Sequence, residues 1–187
     1  MHLFRDKKRE NRALIEEIIL SDYQQYYRLA YSYVHNAEDA GDIVQNGAYR
    51  ALRRSDSLNQ PEYARSWVYR IMLNECFRYL KQPKFFSYEA VREENGIEPG
   101  TVEDSYENLD LRRAIDNLPE KDKAVVILRY FEDKKLEEIA EILGENVNTV
   151  KSRLYRSMKK LRMSLSEDSE AERAVSYKGM RRCSHDL

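Results

Sequence analysis

The sequence is poor in the residues that crosslink or punctuate a chain. Its 187 residues include two cysteines, six glycines, four prolines and one tryptophan. Two thiols, Cys76 and Cys183, are too few for a disulfide scaffold, and a reduced pair is the plain reading. With three histidines in all, a metal site has little to draw on. Cys183 and His185 lack further ligands, so no metal is expected. Scarce proline and glycine argue against a sheet protein rich in turns. No apolar run is long enough to span a bilayer, and the start MHLFRDKKRENR lacks the apolar core of a signal sequence, so no membrane insertion and a cytoplasmic location are expected. Glycine-rich phosphate loops, nucleophile elbows and paired-histidine motifs are missing too, which removes the usual grounds for expecting an enzyme or a cofactor. Bulk charge of one sign is also lacking: 32 Lys and Arg face 33 Asp and Glu, a net charge of −1. Affinity for nucleic acid must therefore come from local patches.

Charge itself is plentiful, at 35% of residues, and it is segregated. The stretch from Leu136 to Leu161 organises the chain. Leu136, Ile139, Ala140 and Leu143 recur at helical spacing, and Gly144 follows where a left-handed residue ends a helix. Asn146 and Asn148 are candidate caps for a second helix. That helix repeats the spacing with Val150, Leu154, Met158 and Leu161, which leaves Ser152, Tyr155, Arg156 and Lys159 pointing away. Residues 146–166 hold six Lys and Arg (Lys151, Arg153, Arg156, Lys159, Lys160, Arg162) and no acid, whereas residues 132–145 hold six acids and two lysines. An acidic helix followed by a wholly basic one fits a helix-turn-helix whose second helix enters the DNA major groove.

In chain order, residues 1–12 are basic and expected to fray. A helix is predicted from Leu14 to Val34, rich in tyrosine at 23, 26, 27, 31 and 33. A second, capped by Asn36, runs to about Arg54 and turns Asp39, Asp42, Gln45 and Asn46 outward, a polar face suited to a partner. After the loop 55–61, Pro61 opens a helix reaching about Gln82, with Val68, Ile71, Met72, Cys76, Tyr79 and Leu80 inward. Trp67, Asn74 and Arg78 lie on another face, flanked by Arg70 and Phe77. Five basic residues and one acid between Arg65 and Lys84 alternate with aromatics, a mixture suited to single-stranded nucleic acid. On the residues alone, Trp67 and Phe77 serve equally well as core. Residues 86–110 hold eight acids against Arg92 alone, which reads as a flexible acidic linker. Helices are predicted again over 106–117 and 120–131, packing under the helix-turn-helix. The tail after Leu165 lacks a period and is expected to be disordered or weakly helical. The fold expected is all-α: two small helical modules joined by an acidic linker.

Four pieces in this order resemble bacterial RNA polymerase sigma factors of the extracytoplasmic-function (ECF) subgroup of the sigma-70 family. AEDAGDIVQNGAYRAL is similar to region 2.2, SWVYRIMLNECFRYLK to regions 2.3 and 2.4, LPEKDKAVVILRYFED to the start of region 4, and LEEIAEIL with NTVKSRLYRSMKKLR to its helix-turn-helix. The resemblance implies a region 2 module at 13–83, a linker at 84–105, a region 4 module at 106–165 and a tail at 166–187. It implies core RNA polymerase (β′ clamp helices and β flap), promoter DNA and an anti-sigma factor as partners. By the same resemblance, Asp39, Asp42, Gln45 and Asn46 bind the clamp. Leu58, Asn59, Trp67, Arg70, Asn74 and Arg78 serve the minus-10 element. Lys151, Ser152, Arg153, Tyr155, Arg156 and Lys159 serve the minus-35 element. Asn46 replaces the usual acid after Gln45. Gly47 in mid-helix is expected to weaken the clamp helix by about 1 kcal/mol. Lys135 stands where a capping serine is common. The rival readings are a stand-alone helix-turn-helix regulator, which predicts a dimer on palindromic sites, and a helical adaptor. Neither gives the Trp67, Asn74 and Arg78 face or the Asp42 and Gln45 face a task.

Overall fold

The computed structural model describes the backbone of residues 2–82 and 104–182 and the side chains of 7–82 and 109–165. Among the described residues every regular element is helical: α1 (His2–Ser21), α2 (Tyr23–Val34), α3 (Ala37–Arg53), α4 (Ala64–Lys81), α5 (Asp104–Asp116), α6 (Glu120–Tyr130), α7 (Leu136–Leu143) and α8 (Val147–Arg182). Most of the acidic linker expected at 84–105 falls outside the described residues.

The first module packs α1 to α4 through interlocking stripes. Ile15, Ile18, Tyr26, Leu29, Ile43, Val44, Val68 and Met72 are all buried. Asn36 caps α3 as its sequence position suggests, its Oδ1 accepting the Asp39 amide at 3.0 Å, a bond that satisfies one of the free first-turn donors. Gly47 has a packing reason. It is buried against α4, and a Cβ there would come within 2.2 Å of the Met72 sulfur, so its helix-propensity penalty accompanies a close approach of α3 to α4.

Three expectations change here. The helix predicted over 14–34 is two helices, broken at Asp22. That residue is 6% exposed, and its carboxylate accepts from Ser21 Oγ at 3.0 Å and pairs with Arg65 of α4. A buried carboxylate needs such partners, and the turn places it to reach them. The N-terminal residues expected to fray form most of α1. Asn11 is buried there and donates to the carbonyls of Leu58 at 2.8 Å and Ser55 at 3.3 Å. On α4, Phe77 turns inward, edge-on to Tyr33 at 5.9 Å between centroids, while Leu80 is exposed.

The second module sets α5 and α6 beneath the helix-turn-helix of α7 and α8. Gly144 ends α7 at φ 65, and Asn146 caps α8 by accepting the Thr149 amide at 2.8 Å. At the start of α7, the Glu138 carboxylate accepts the Lys135 amide at 2.7 Å. That is half of a capping box, since a lysine ammonium has no acceptor to return. Ser157, not Met158, completes the buried stripe of α8: Ser157 is fully buried and Met158 is 40% exposed. The serine hydroxyl donates to the Arg153 carbonyl at 2.8 Å. The helical backbone of α8 continues to Arg182, through the segment expected to be disordered or weakly helical. Its Glu, Ala, Arg and Lys residues suit a helix, and no proline interrupts it.

Helix α6 joins the modules. Ala124 to Leu128 are buried in succession, so the helix is covered on all sides. Val126 packs with Ala114, Ile115, Leu118 and Leu161. Val125, Ile127 and Leu128 share one core with Tyr69, Met72 and Leu73 of the first module. Phe131 is 55% exposed just past the helix end.

Candidate nucleic-acid interface

The recognition helix has the clearest geometry. Lys151, Ser152, Tyr155, Arg156 and Lys159 are all exposed on α8, with Tyr155 at 78%. The helix is carried on a stripe of Val150, Ser157 and Leu161, buried, and Leu154, partly buried, so Ser152, Tyr155, Arg156 and Lys159 share the opposite side and Lys151 lies on its flank.

Arg153, expected among the minus-35 contacts, has partners within the chain. It is turned inward and half-buried, donating to Glu145 through Nε at 2.8 Å and Nη2 at 3.1 Å, and to Asp122 through Nη1 at 2.8 Å. Lys121 adds a bond to Glu145 at 2.8 Å. Arg153 thus ties the turn of the motif to α6, and its hydrogen bond holds the Glu145 carboxyl below the usual carboxylate range. The acceptors lie on other elements, so no helical wheel of α8 could reveal this.

The residues expected at the minus-10 element are dispersed. Asn59 and Asn74 are exposed, and Trp67 is half-buried against the core. Leu58, expected to serve the minus-10 element, faces inward in this arrangement. At 3% exposure it packs beneath the loop, and its carbonyl is the one held by Asn11. Arg78 is half-exposed and pairs with Glu75. Arg70 reaches across to the second module, donating from Nε to the Ile142 carbonyl at 2.8 Å and from Nη2 to that of Glu141. These are last-turn carbonyls of α7, where the helix dipole favours a cation. Ser66 also donates to the Glu141 carboxylate at 2.9 Å. A crevice of about 700 Å³ results, with Asn59, Trp67 and Arg70 on one wall and Glu137, Glu141 and Asn146 on the other. The acidic α7 therefore lies opposite part of the basic, aromatic face of α4.

On α3, Asp42, Gln45 and Asn46 are exposed and Asp39 partly so. They share one side of the helix.

The seam between modules is polar as well as apolar. Glu132 is buried near Arg28, with Nε 3.4 Å from Oε1, and the Tyr69 hydroxyl lies 3.5 Å from Oε2. Glu132 Oε1 has no hydrogen bond, and burial raises the carboxyl above its ordinary pKa. His35, left-handed at φ 54, sets Nε2 3.2 Å from Asp116. Sequence reading missed Asn11, Ser66 and Glu75. Only Glu75 gave a signal, as the one acid in a basic stretch.

Two helical modules, one carrying an exposed recognition helix and the other a basic aromatic face beside an acidic one, define a multi-contact DNA-binding subunit. The family models for sigma-70 region 2 and sigma-70 region 4 match residues 18–85 and 108–161. RNA polymerase sigma factor SigV of Bacillus subtilis (strain 168) is 43% identical over 164 residues, which cover 87% of this chain and 97% of that protein. The ECF RNA polymerase sigma factor SigW of the same strain is 31% identical, over 75% of this chain and 83% of its own. The fold is similar to that of CnrH, solved with the cytosolic domain of CnrY, at TM-score 0.63 and 21% identity over 89% of this chain and 96% of the other. It is also similar to the sigma factor RpoE of Bartonella quintana, solved with the anti-sigma factor NepR, at TM-score 0.58 and 20% identity over 81% and 96%. The chain belongs to the sigma-70 family of RNA polymerase sigma factors, in its ECF subgroup.

Proposed function

We propose that the chain is a dissociable specificity subunit that binds core RNA polymerase in the cytoplasm and directs transcription initiation from promoters with minus-35 and minus-10 elements. The exposed row Lys151, Ser152, Tyr155, Arg156 and Lys159 on α8 carries this reading. It presents three long cations, a phenol and a hydroxyl-bearing neighbour to a major groove, whose base edges are read by such donors and whose phosphates are neutralised by such charges. Asp39, Asp42, Gln45 and Asn46 on α3 are assigned to the β′ clamp helices, and the second module to the β flap. Asn59, Trp67, Asn74 and Arg78 are assigned to the minus-10 strand, where an aromatic ring and cations favour unpaired bases. The subunit selects the site and leaves chemistry to the polymerase, so it is not itself a catalyst.

In the closed arrangement α7 lies across the wall formed by Asn59, Trp67 and Arg70. Engagement of the minus-10 strand there requires the modules to separate. The imperfect pairing of Glu132 favours such opening, because a buried carboxylate with an unsatisfied oxygen weakens the seam that contains it. The two structural neighbours, each solved with a bound protein partner, support an anti-sigma factor as the agent that holds this chain from the polymerase.

Reconstitution with purified core polymerase tests the reading. Co-elution in gel filtration and a discrete run-off transcript are expected, and Arg156→Ala should weaken minus-35 recognition by about 1–3 kcal/mol if Arg156 reads a base. Sequence-specific DNA binding by the chain alone, with no affinity for core, would instead establish a stand-alone regulator.

A further inference from the structure

One charged group in the first module has no part in the surfaces above. Glu75 of α4 is 7% exposed, and a carboxylate buried to that extent is tolerated only with charged or multiple hydrogen-bonding partners. Its partners are two guanidiniums from two helices. Arg50 of α3 donates from Nε to Oε1 at 2.8 Å, and Arg78, three residues on along α4, holds Oε2. Neither arginine is exhausted by this. A guanidinium carries five N–H donors, and the side chains of Arg50 and Arg78 remain 38% and 39% exposed. The three residues together carry one net positive charge.

Their position gives that charge a use. At 100° per residue, Arg78 lies about 40° from Asn74 around α4, on the exposed side that also bears Trp67 and Arg70. Arg50 approaches the same carboxylate from α3. Two guanidiniums anchored to one buried carboxylate are preorganised donor forks, the group best matched to the two free oxygens of a phosphodiester. The surface residues before Arg50 on that side of α3 (the partly exposed Asp39 and the exposed Asp42, Gln45 and Asn46) carry no cation. A partner matched to them has no need of Arg50.

We propose that Arg50 and Arg78 together bind one backbone phosphate of the promoter strand along α4, and that Glu75 is the positioning residue that holds them side by side. The proposal rests on the sigma-factor reading above. It adds a contact from α3, the helix otherwise assigned to polymerase, and so places one DNA contact at the junction of the two surfaces.

The test uses full-length protein assembled with core polymerase on the promoter fragment that yields the wild-type run-off transcript. Failure of the wild type to bind core or to produce a transcript would overturn the sigma-factor reading and the phosphate pair with it. With the wild type active, promoter affinity is measured against salt for Arg50→Ala, Arg50→Lys and Glu75→Gln. Removal of one phosphate contact is expected to shallow the log–log salt slope by about 1 in Arg50→Ala, with core binding unchanged. Arg50→Lys should keep the slope while losing part of the affinity, since an ammonium keeps the charge but not the fork. Glu75→Gln should weaken promoter binding in the wild-type background and have a smaller further effect when Arg50 is already alanine, because only Arg78 is then left for it to position, a non-additivity in promoter binding that a purely structural role would not give. An unchanged slope in Arg50→Ala overturns the proposal. So does a loss of core binding in that variant, which would assign Arg50 to the polymerase. If Glu75→Gln fails to fold, the two Arg50 variants still decide.

Discussion

Arg153→Ala separates the two roles available to a basic residue on a recognition helix. The guanidinium makes three charge-assisted bonds, two to Glu145 and one to Asp122. The Asp122 side chain is 4% exposed and that of Glu145 12%. Breaking a buried ion pair by removing one partner costs about 3–5 kcal/mol, because the remaining charge is left without compensation. Two features reduce that here: Arg153 keeps 23% of its side chain in water, and Glu145 retains Lys121 at 2.8 Å. A loss of about 2–3 kcal/mol is expected. Equilibrium unfolding in urea measures it. The double variant with Asp122→Asn should lose less than the sum of the singles, because neutralising Asp122 removes the charge that Arg153→Ala strands. A phosphate contact predicts the opposite pattern: a stability change within about 0.5 kcal/mol and a minus-35 salt slope shallower by about 1. That second pattern would refute the structural role assigned to Arg153.

Three further outcomes follow from the geometry. Arg70→Ala removes two bonds to the end of α7 and should weaken the closed arrangement by about 1–3 kcal/mol; small-angle scattering should show a more extended chain, and an unchanged envelope would argue against Arg70 as a clasp. Asn11→Ala leaves the buried carbonyls of Ser55 and Leu58 without their donor and should destabilise the first module by about 1–3 kcal/mol, with faster hydrogen exchange in loop 54–60; full stability would mean that this end of α1 is dispensable. Glu145 sets a pH dependence. Its carboxyl is held below the ordinary range by Arg153, so its contribution to stability is present above the ordinary carboxylate pKa and is lost as pH falls through the lower folded value. Thermal unfolding of Glu145→Gln should therefore fall below wild type at neutral pH and converge with it in acid, and a gap that persists in acid would contradict the assignment.

Local physics made the helix-turn-helix legible. Leu136, Ile139 and Ala140 mark one stripe, Gly144 takes the left-handed turn, and Asn146 caps the next helix, each within a few residues of its cause. The exposed row on α8 follows from the same period, and so does the polar face of α3. The break at Asp22 was not legible, because the reason for it lies on α4 at Arg65. The period of α8 points to Met158 for its stripe, one residue away from the buried Ser157, since only the neighbouring helices show that a hydroxyl donating to the Arg153 carbonyl fills the site. Gly47 read as a weakness until Met72 was placed against it.

The sequence by itself determined that the chain is helical, where most helices start and stop, which family its motifs belong to, and which side of the recognition helix faces out. These depend on neighbours within a turn or two, and periodicity records them directly. Tertiary structure alone decided that Arg153 is a strut, that Leu58 lies beneath its loop, that α7 lies across part of the α4 face, and that Glu75 holds two arginines. Each of these depends on a partner distant in the chain, and the charge or polarity of one residue does not reveal where its counterpart comes to rest.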